Sequence, residues 1–186
     1  MALWRRFRRL EVAMDALRMW SHLLADDNQP VPEAEELYRF AMDLSKRGRW
    51  ADAVSLFEGC IDELEAADRP EAAAANHSMA VLLQHQGDRD GAIFHCVRAV
   101  YLYENADDLG GMYAGLRNLA LIHRSRQENN LAMAAQGQAA RVRQLLSARG
   151  ELERVERGKD RYGETLVLLG IRAARSVGPV GVRDVG

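Results

Sequence analysis

Histidine and cysteine are the side chains of this chain best suited to acid–base, nucleophilic or metal-binding chemistry. They are His22, His77, His85, His95 and His123, with Cys60 and Cys96. His77 and His85 are eight residues apart, which on one helix separates them by about two turns, too far to share a metal ion. His95 directly precedes Cys96, so the two point to different sides of a helix. Their spacing predicts neither a metal site nor a nucleophile.

Phosphate-binding loops are not indicated either. The chain contains neither G-x-x-x-x-G-K-[ST] nor G-x-G-x-x-G. Gly110-Gly111 opens a helix and in principle could bind an anion, but between two helices such a pair is typical of a turn. We therefore expect no cofactor, no metal and no enzymatic activity.

Composition is that of an ordinary helical protein. Of 186 residues, 48% are apolar, 28% are charged and only four are proline, which favours helix. No apolar run approaches the length of a membrane span. Cys60 and Cys96 fit small buried hydrophobes in a reducing compartment, so we expect a cytoplasmic protein.

Charge is unevenly distributed along the chain. Residues 1–10 carry four arginines and no acid, residues 26–71 have a net charge of −8, and residues 141–186 a net charge of +4. This layout would steer an acidic partner or favour self-association, although exposed helix faces are commonly charged in any protein. No basic run with interleaved aromatics lies in the central region, so nucleic acid is not an expected partner.

Small residues recur with a long period. Three Ala–Ala pairs, each twelve residues apart, repeat at steps of thirty-nine and forty: Ala41/Ala53, Ala80/Ala92 and Ala120/Ala132. Seven residues after the first Ala of each pair stand Gly48, Gly87 and Gln127. A fixed period of this size indicates stacked helical hairpins, in which small side chains let the two helices approach closely.

The copies resemble the tetratricopeptide (TPR) family, in the long-repeat form of kinesin light chains and bacterial regulatory proteins. The resemblance rests on Leu37, Phe40, Ala41, Leu44, Gly48, Trp50, Ala53, Phe57 and Cys60, then Asn76, Met79, Ala80, Leu83, Gly87, Arg89, Ala92, Cys96 and Ala99, then Leu116, Leu119, Ala120, His123, Gln127, Asn129, Ala132, Gln136 and Ala139. It implies an all-α fold, an αα-superhelix (solenoid) of about three hairpins over 33–147. The hairpins would be 33–68, 71–106 and 109–147.

The resemblance also implies a concave groove lined by the first helix of each hairpin. Taken in the family register, the groove residues are Tyr38, Arg39, Met42, Lys46, His77, Ser78, Val81, His85, Arg117, Asn118, Leu121 and Arg124. The implied role is a non-catalytic scaffold or adaptor that binds a partner peptide or helix there. Simple surface exposure accounts for any one of these residues taken alone.

Segments outside the repeats are predicted as follows. Residues 1–27 form an amphipathic helix with a seam of Leu3, Phe7, Leu10, Met14, Leu17 and Leu24. That helix has three open interpretations: a cap on the first repeat, a homo-oligomer contact, or a peripheral membrane contact through residues 1–25. Residues 151–176 are predicted as a C-terminal capping helix and 177–186 as a disordered tail. The alternative function is accordingly a self-assembling or membrane-recruited assembly factor.

Overall fold

The computed structural model describes residues 33–156. Within that range every regular element is helical, which confirms the all-α prediction. The helices, in order, are α1 Ala34–Lys46, α2 Trp50–Ala66, α3 Glu71–Gln86, α4 Arg89–Asn105, α5 Leu109–Ser125, α6 Asn129–Ala148 and α7 Leu152–Glu156. The predictions for 1–27, for the capping helix beyond 156 and for 177–186 lie outside the described residues.

Turn chemistry ends each helix close to where the sequence indicates. Gly48 and Gly87 follow α1 and α3 with φ of +79° and +88°, the left-handed conformation that glycine adopts without strain. Gln127 takes φ +63° at the equivalent turn, so the third copy keeps the conformation without the glycine. Asp88 and Asp108 are the N-cap residues of α4 and α5, where each carboxylate accepts a hydrogen bond from the backbone N–H three residues later.

Consecutive helices pack in pairs: α1 on α2, α3 on α4 and α5 on α6. The connections within and between pairs are two to four residues long, so neighbouring helices reverse direction. Helices α2 and α4 also pack on the following helix, and α3 additionally contacts both α1 and α5. The first helices of the three pairs therefore lie side by side.

The paired alanines lie inside these contacts. Ala41, Ala53, Ala80 and Ala92 have no exposed surface, and Ala120 and Ala132 have almost none. This burial agrees with their assignment to helix crossings. A larger side chain at these positions would push the two helices apart.

Helix α3 is the centre of the fold. All twelve residues from Ala72 to Leu83 are buried, because α1, α2, α4 and α5 surround it. A helix buried on every side needs small or apolar residues all round, which explains the alanine-rich run at 72–75. A second core near the end of the described range joins α6 to α7 through Val142, Leu146 and Val155.

Candidate functional site

The predicted groove residues differ in accessibility. Arg39, Lys46, Arg117, Leu121 and Arg124 are exposed; Tyr38, Met42, His85 and Asn118 are half-buried; His77, Ser78 and Val81 are buried. The accessible members come from α1 and α5, the two helices beside α3. The predicted line of groove residues is therefore interrupted at its centre.

Three residues assigned to the groove from the sequence do not reach the surface. His77 and Ser78 have no exposed area and Val81 has 3%. Ser78 Oγ donates hydrogen bonds to the Ala74 carbonyl (2.8 Å) and to Met42 Sδ (3.4 Å). The placement of these side chains on a partner-binding surface needs correction, because helices on both sides of α3 enclose them.

His77 links α3 to α5 inside the protein. The Asn118 amide Nδ2 lies 2.6 Å from His77 Nε2, so Asn118 donates and Nε2 accepts. The other ring nitrogen, Nδ1, has no hydrogen-bond partner, and the ring packs edge-on against Tyr103 with centroids 6.0 Å apart. Burial lowers the pKa of His77 to about 4. The imidazole is therefore neutral near pH 7, and its role is structural, because it joins α3 to α5.

Two accessible stripes remain on either side of α3. Arg39, Met42 and Lys46 follow one face of α1 at three- and four-residue steps, as do Arg117, Leu121 and Arg124 on α5. We name these the α1 stripe and the α5 stripe. Each consists of two cations with one apolar side chain between them.

The cations of the two stripes are not neutralised by acids in the part of the chain that the structure describes. None of the ion pairs within residues 33–156 includes Arg39, Lys46, Arg117 or Arg124. The Arg117 guanidinium lies 5.5 Å from the centre of the Tyr113 ring, a cation–π contact that supports its long side chain. These four groups can therefore receive acidic groups from another molecule.

His85 and Tyr38 are held by aromatic neighbours. The His85 ring stacks on Trp50 with centroids 4.5 Å apart, and burial lowers its pKa. The Tyr38 ring packs against the Phe57 ring, with centroids 6.2 Å apart. Both side chains consequently contribute more to joining α1, α2 and α3 than to an accessible surface.

A polar cluster between α2, α3 and α4 was not foreseen from the sequence. Asn76 donates to Glu65 Oε1 at 2.8 Å and to the Ala72 carbonyl at 3.0 Å, which leaves Asn76 Oδ1 to accept from His95 Nδ1 at 2.9 Å. Arg98 donates to Glu65 Oε2 at 2.6 Å. The residues of this cluster are separated by up to 33 positions in the sequence, so no local sequence pattern indicates it.

Opposing effects set the protonation of that cluster. Burial alone would raise the pKa of Glu65, but hydrogen bonds from Arg98 and Asn76 outweigh it and hold the pKa below its usual range. Burial lowers the pKa of His95, although the Glu65 and Asp88 charges act in the opposite direction. Glu65 is therefore ionised and paired, and the cluster serves as a hydrogen-bonded joint between three helices.

Both cysteines are buried, as expected for small hydrophobic residues. Cys60 and Cys96 have no exposed surface and neither takes part in a disulfide. Burial raises the pKa of Cys96 to about 12, despite a backbone hydrogen bond that acts to lower it. Within residues 33–156 no group of three His, Cys, Asp or Glu could hold a metal ion, and no helix there combines the length and hydrophobicity needed to cross a bilayer.

A row of exposed apolar side chains on α4 was also not predicted, although the spacing of these residues is visible in the sequence. Phe94, Val97 and Tyr101 follow one another at three- and four-residue steps along α4 and are all exposed, by 67%, 49% and 50%. We name these three residues the α4 stripe. The spacing becomes informative only when α4 is placed in register, because the opposite face of the same helix holds the buried residues Ala92, Cys96, Ala99 and Tyr103.

Comparison with known proteins adds no family assignment: no protein-family model matches the chain, and a search of curated proteins finds no significantly similar sequence.

Proposed function

We propose that the chain is an αα-superhelix of three TPR-like hairpins that works as a non-catalytic adaptor. Its partner would be an acidic peptide or helix that lies across the first helices of the hairpins. The repeat spacing, the buried alanine pairs and the side-by-side packing of α1, α3 and α5 support this architecture. A TPR-like module recognises its partner by shape and a few polar anchors, without chemistry of its own.

The observation that carries the proposal is the composition of the α1 and α5 stripes. Both present only cationic and apolar side chains, and their cations have no acidic partners within residues 33–156. Arg117 and Arg124 are seven residues apart, so their α-carbons are separated by about 10 Å along α5. Carboxylates at about that spacing, one heptad apart on a helix or three residues apart in an extended peptide, would engage both.

The burial of residues on α3 changes which side chains of the proposed groove can contact a partner. Because Ser78 and Val81 are enclosed, α3 supplies the spacing between the two stripes but no anchor. Met42 and Leu121 supply the apolar contacts, and the arginines provide orientation. Arg117 is expected to be the strongest single anchor, since the Tyr113 ring already restrains its side chain.

The test compares partner capture by three forms of the full chain. Arg117→Ala with Arg124→Ala removes the α5 cations; Arg89→Ala with Arg154→Ala removes two exposed cations outside the stripes and leaves the same net charge. Proteins captured by each form are quantified by mass spectrometry, and the melting temperature is measured for each. A set of proteins lost from the first variant and retained by the second is expected, with both melting temperatures near that of the parent.

Equal capture by all three forms would refute binding at the α5 stripe. A large drop in melting temperature for the stripe variant would mean that its arginines act within the fold. A captured protein is then tested directly by titrating its most acidic segment as a synthetic peptide. Loss of about 2 kcal/mol for the two arginines together, near thirtyfold in Kd, is the size expected for charge-assisted hydrogen bonds.

A further inference from the structure

Helix α4 carries an apolar stripe that the fold does not require. Phe94, Val97 and Tyr101 lie opposite the buried face of α4 and point away from the protein. The neighbouring hairpins hold other residue types at the equivalent positions, thirty-nine residues earlier and forty later: Ser55, Glu58 and Asp62 on α2, and Ala134, Gly137 and Arg141 on α6. All six of these are exposed. Packing of a hairpin therefore does not demand large apolar side chains there.

The three helices that carry these positions are connected by ion pairs on one side of the protein. Arg98 of α4 pairs with Glu65 of α2 at 2.6 Å. On its other side, α4 is tied to α6 at both ends: Arg126 pairs with Asp90 near the two N-termini, and Arg149 pairs with Asp107 at 2.9 Å near the two C-termini. The order across this surface is α2, α4, α6, with α4 and α6 parallel.

Charge changes sign across the surface. Two of the five acids of α2, Asp52 and Glu65, pair with Arg49 and Arg98 of the same chain, which leaves Glu58 and Asp62 at its outward positions. Helix α6 has no acidic residue and presents Arg141 at its outward position, while its other arginine, Arg143, pairs with Glu156. Helix α4, between them, has two acidic and two basic residues. An apolar centre flanked by an acidic helix on one side and a basic helix on the other is complementary to itself.

We propose that the α4 stripe is the centre of a two-fold interface between two copies of this chain. Rotation by 180° about an axis parallel to α4 places one α4 stripe on the other and brings each α2 opposite the partner's α6. Asp62 and Arg141 stand at the level of Tyr101 in their own hairpins, so in this arrangement each Asp62 faces an Arg141 of the partner subunit. Small residues at Ala134 and Gly137 let the partner's α2 approach α6.

Charge selects this arrangement over the other two-fold option. An axis across α4 would also stack the two stripes, but it would set α2 against α2 and bring the outward acids Glu58 and Asp62 of the two copies together. Opposed like charges cost association free energy, while opposed unlike charges favour it and fix the register. The proposed dimer is thus parallel at α4. It leaves the α1 and α5 stripes uncovered, so this inference does not depend on the adaptor function.

The first test measures the mass of the full chain by sedimentation velocity and light scattering from low to high micromolar concentration. The parent is expected to pass from monomer to dimer. Phe94→Ser with Tyr101→Asp installs the residues that α2 already carries at these positions and is expected to raise the dimer Kd by about a hundredfold or more. Val97→Glu, which copies Glu58, should act in the same direction. Phe40→Ser is the control, since Phe40 is 43% exposed on α1, outside the proposed interface, and it should leave the Kd unchanged.

The second test reverses charge. Asp62→Arg alone is expected to weaken the dimer several-fold, because two rim pairs are lost per dimer. Combining it with Arg141→Asp restores both pairs with the signs exchanged and should return the Kd to near the parent value. This rescue depends on contact between the two positions in different copies. A change within one subunit does not produce it.

A monomer at every concentration would overturn the proposal and leave the α4 stripe for a different protein. A dimer that withstands both the double variant and Val97→Glu would also overturn it and would point to the 1–27 segment as the contact. If the variant that combines Phe94→Ser with Tyr101→Asp unfolds, Val97→Glu and the charge reversal test the proposal in its place. Failure of the adaptor proposal would appear instead as unchanged capture by the α5-stripe variant, which is a separate result.

Discussion

The buried histidine of α3 makes stability depend on pH in a defined direction. His77 has no exposed surface, and its pKa is lowered from 6.5 to about 4 by burial. Below pH 6.5 the unfolded chain takes up a proton at this site, whereas the folded protein does so only near pH 4. Stability contributed by the neutral ring is therefore present above pH 6.5 and is lost as the pH falls toward 4.

The size of the effect follows from the two pKa values. Between pH 7.5 and pH 5 this single group should reduce the free energy of unfolding by about 2 kcal/mol. Acidification to pH 5 avoids most of the protonation of Glu65, Asp107 and Glu128, whose pKa values lie below their usual ranges. His85 and His95, with lowered pKa values, add to the loss in the same direction.

Urea denaturation of the parent and of His77→Gln at both pH values isolates the contribution. The variant is expected to be less stable at pH 7.5, because its partner Asn118 loses an acceptor in a fixed position. Its further loss on moving to pH 5 should be about 2 kcal/mol smaller than that of the parent. An identical pH dependence in the two proteins would refute the reasoning, since it would mean that His77 is protonated equally in the folded and unfolded states.

Two substitution pairs test the packing of the repeats by chemical denaturation. Ala80→Leu should cost about 1–3 kcal/mol or open the second hairpin, because Ala80 is completely buried at a helix crossing, whereas Ala51→Leu on the exposed side of α2 should be nearly neutral. A tolerated Ala80→Leu would contradict the close-crossing interpretation. Gly111→Ala should also destabilise by about 1–3 kcal/mol, because the added methyl group would overlap the buried ring of Tyr103. Gly137→Ala meets no atom within 4 Å and should stabilise α6 by about 0.5–1 kcal/mol, so a loss of stability there would show that the helix-propensity argument fails.

Local signals predicted the helices well because the determinants of helix ends are close in sequence. Helices α3 (Glu71–Gln86) and α4 (Arg89–Asn105) both lie within the second predicted hairpin, 71–106. Gly87 and Asp88 explain that accuracy, since both act on backbone groups within three residues of themselves. His123, one of the residues that carry the TPR resemblance, is buried with Nδ1 2.7 Å from Glu128 Oε2.

Accessibility of the site was the part that local signals could not predict. Register places Ser78, Val81, Met42 and Leu121 on corresponding helix faces, yet the first two are buried and the last is 42% exposed. The difference arises from the packing of the first helices of the three hairpins. Helix α3 lies between α1 and α5, whereas within the described range α1 and α5 each have only α3 as such a neighbour. Helical spacing in the sequence predicts which side of a helix a side chain lies on, but not whether another helix covers that side.

The sequence by itself therefore determined the helices, their turns and the small residues at which they cross, because each of these depends on backbone geometry within a few residues. Only the tertiary structure decided that the centre of the expected groove is closed, that Glu65, Asn76, His95 and Arg98 meet, and that the α4 stripe lies between an acidic and a basic helix. Burial and charge pairing are set by residues 11 to 41 positions away, which come together only when the helices pack.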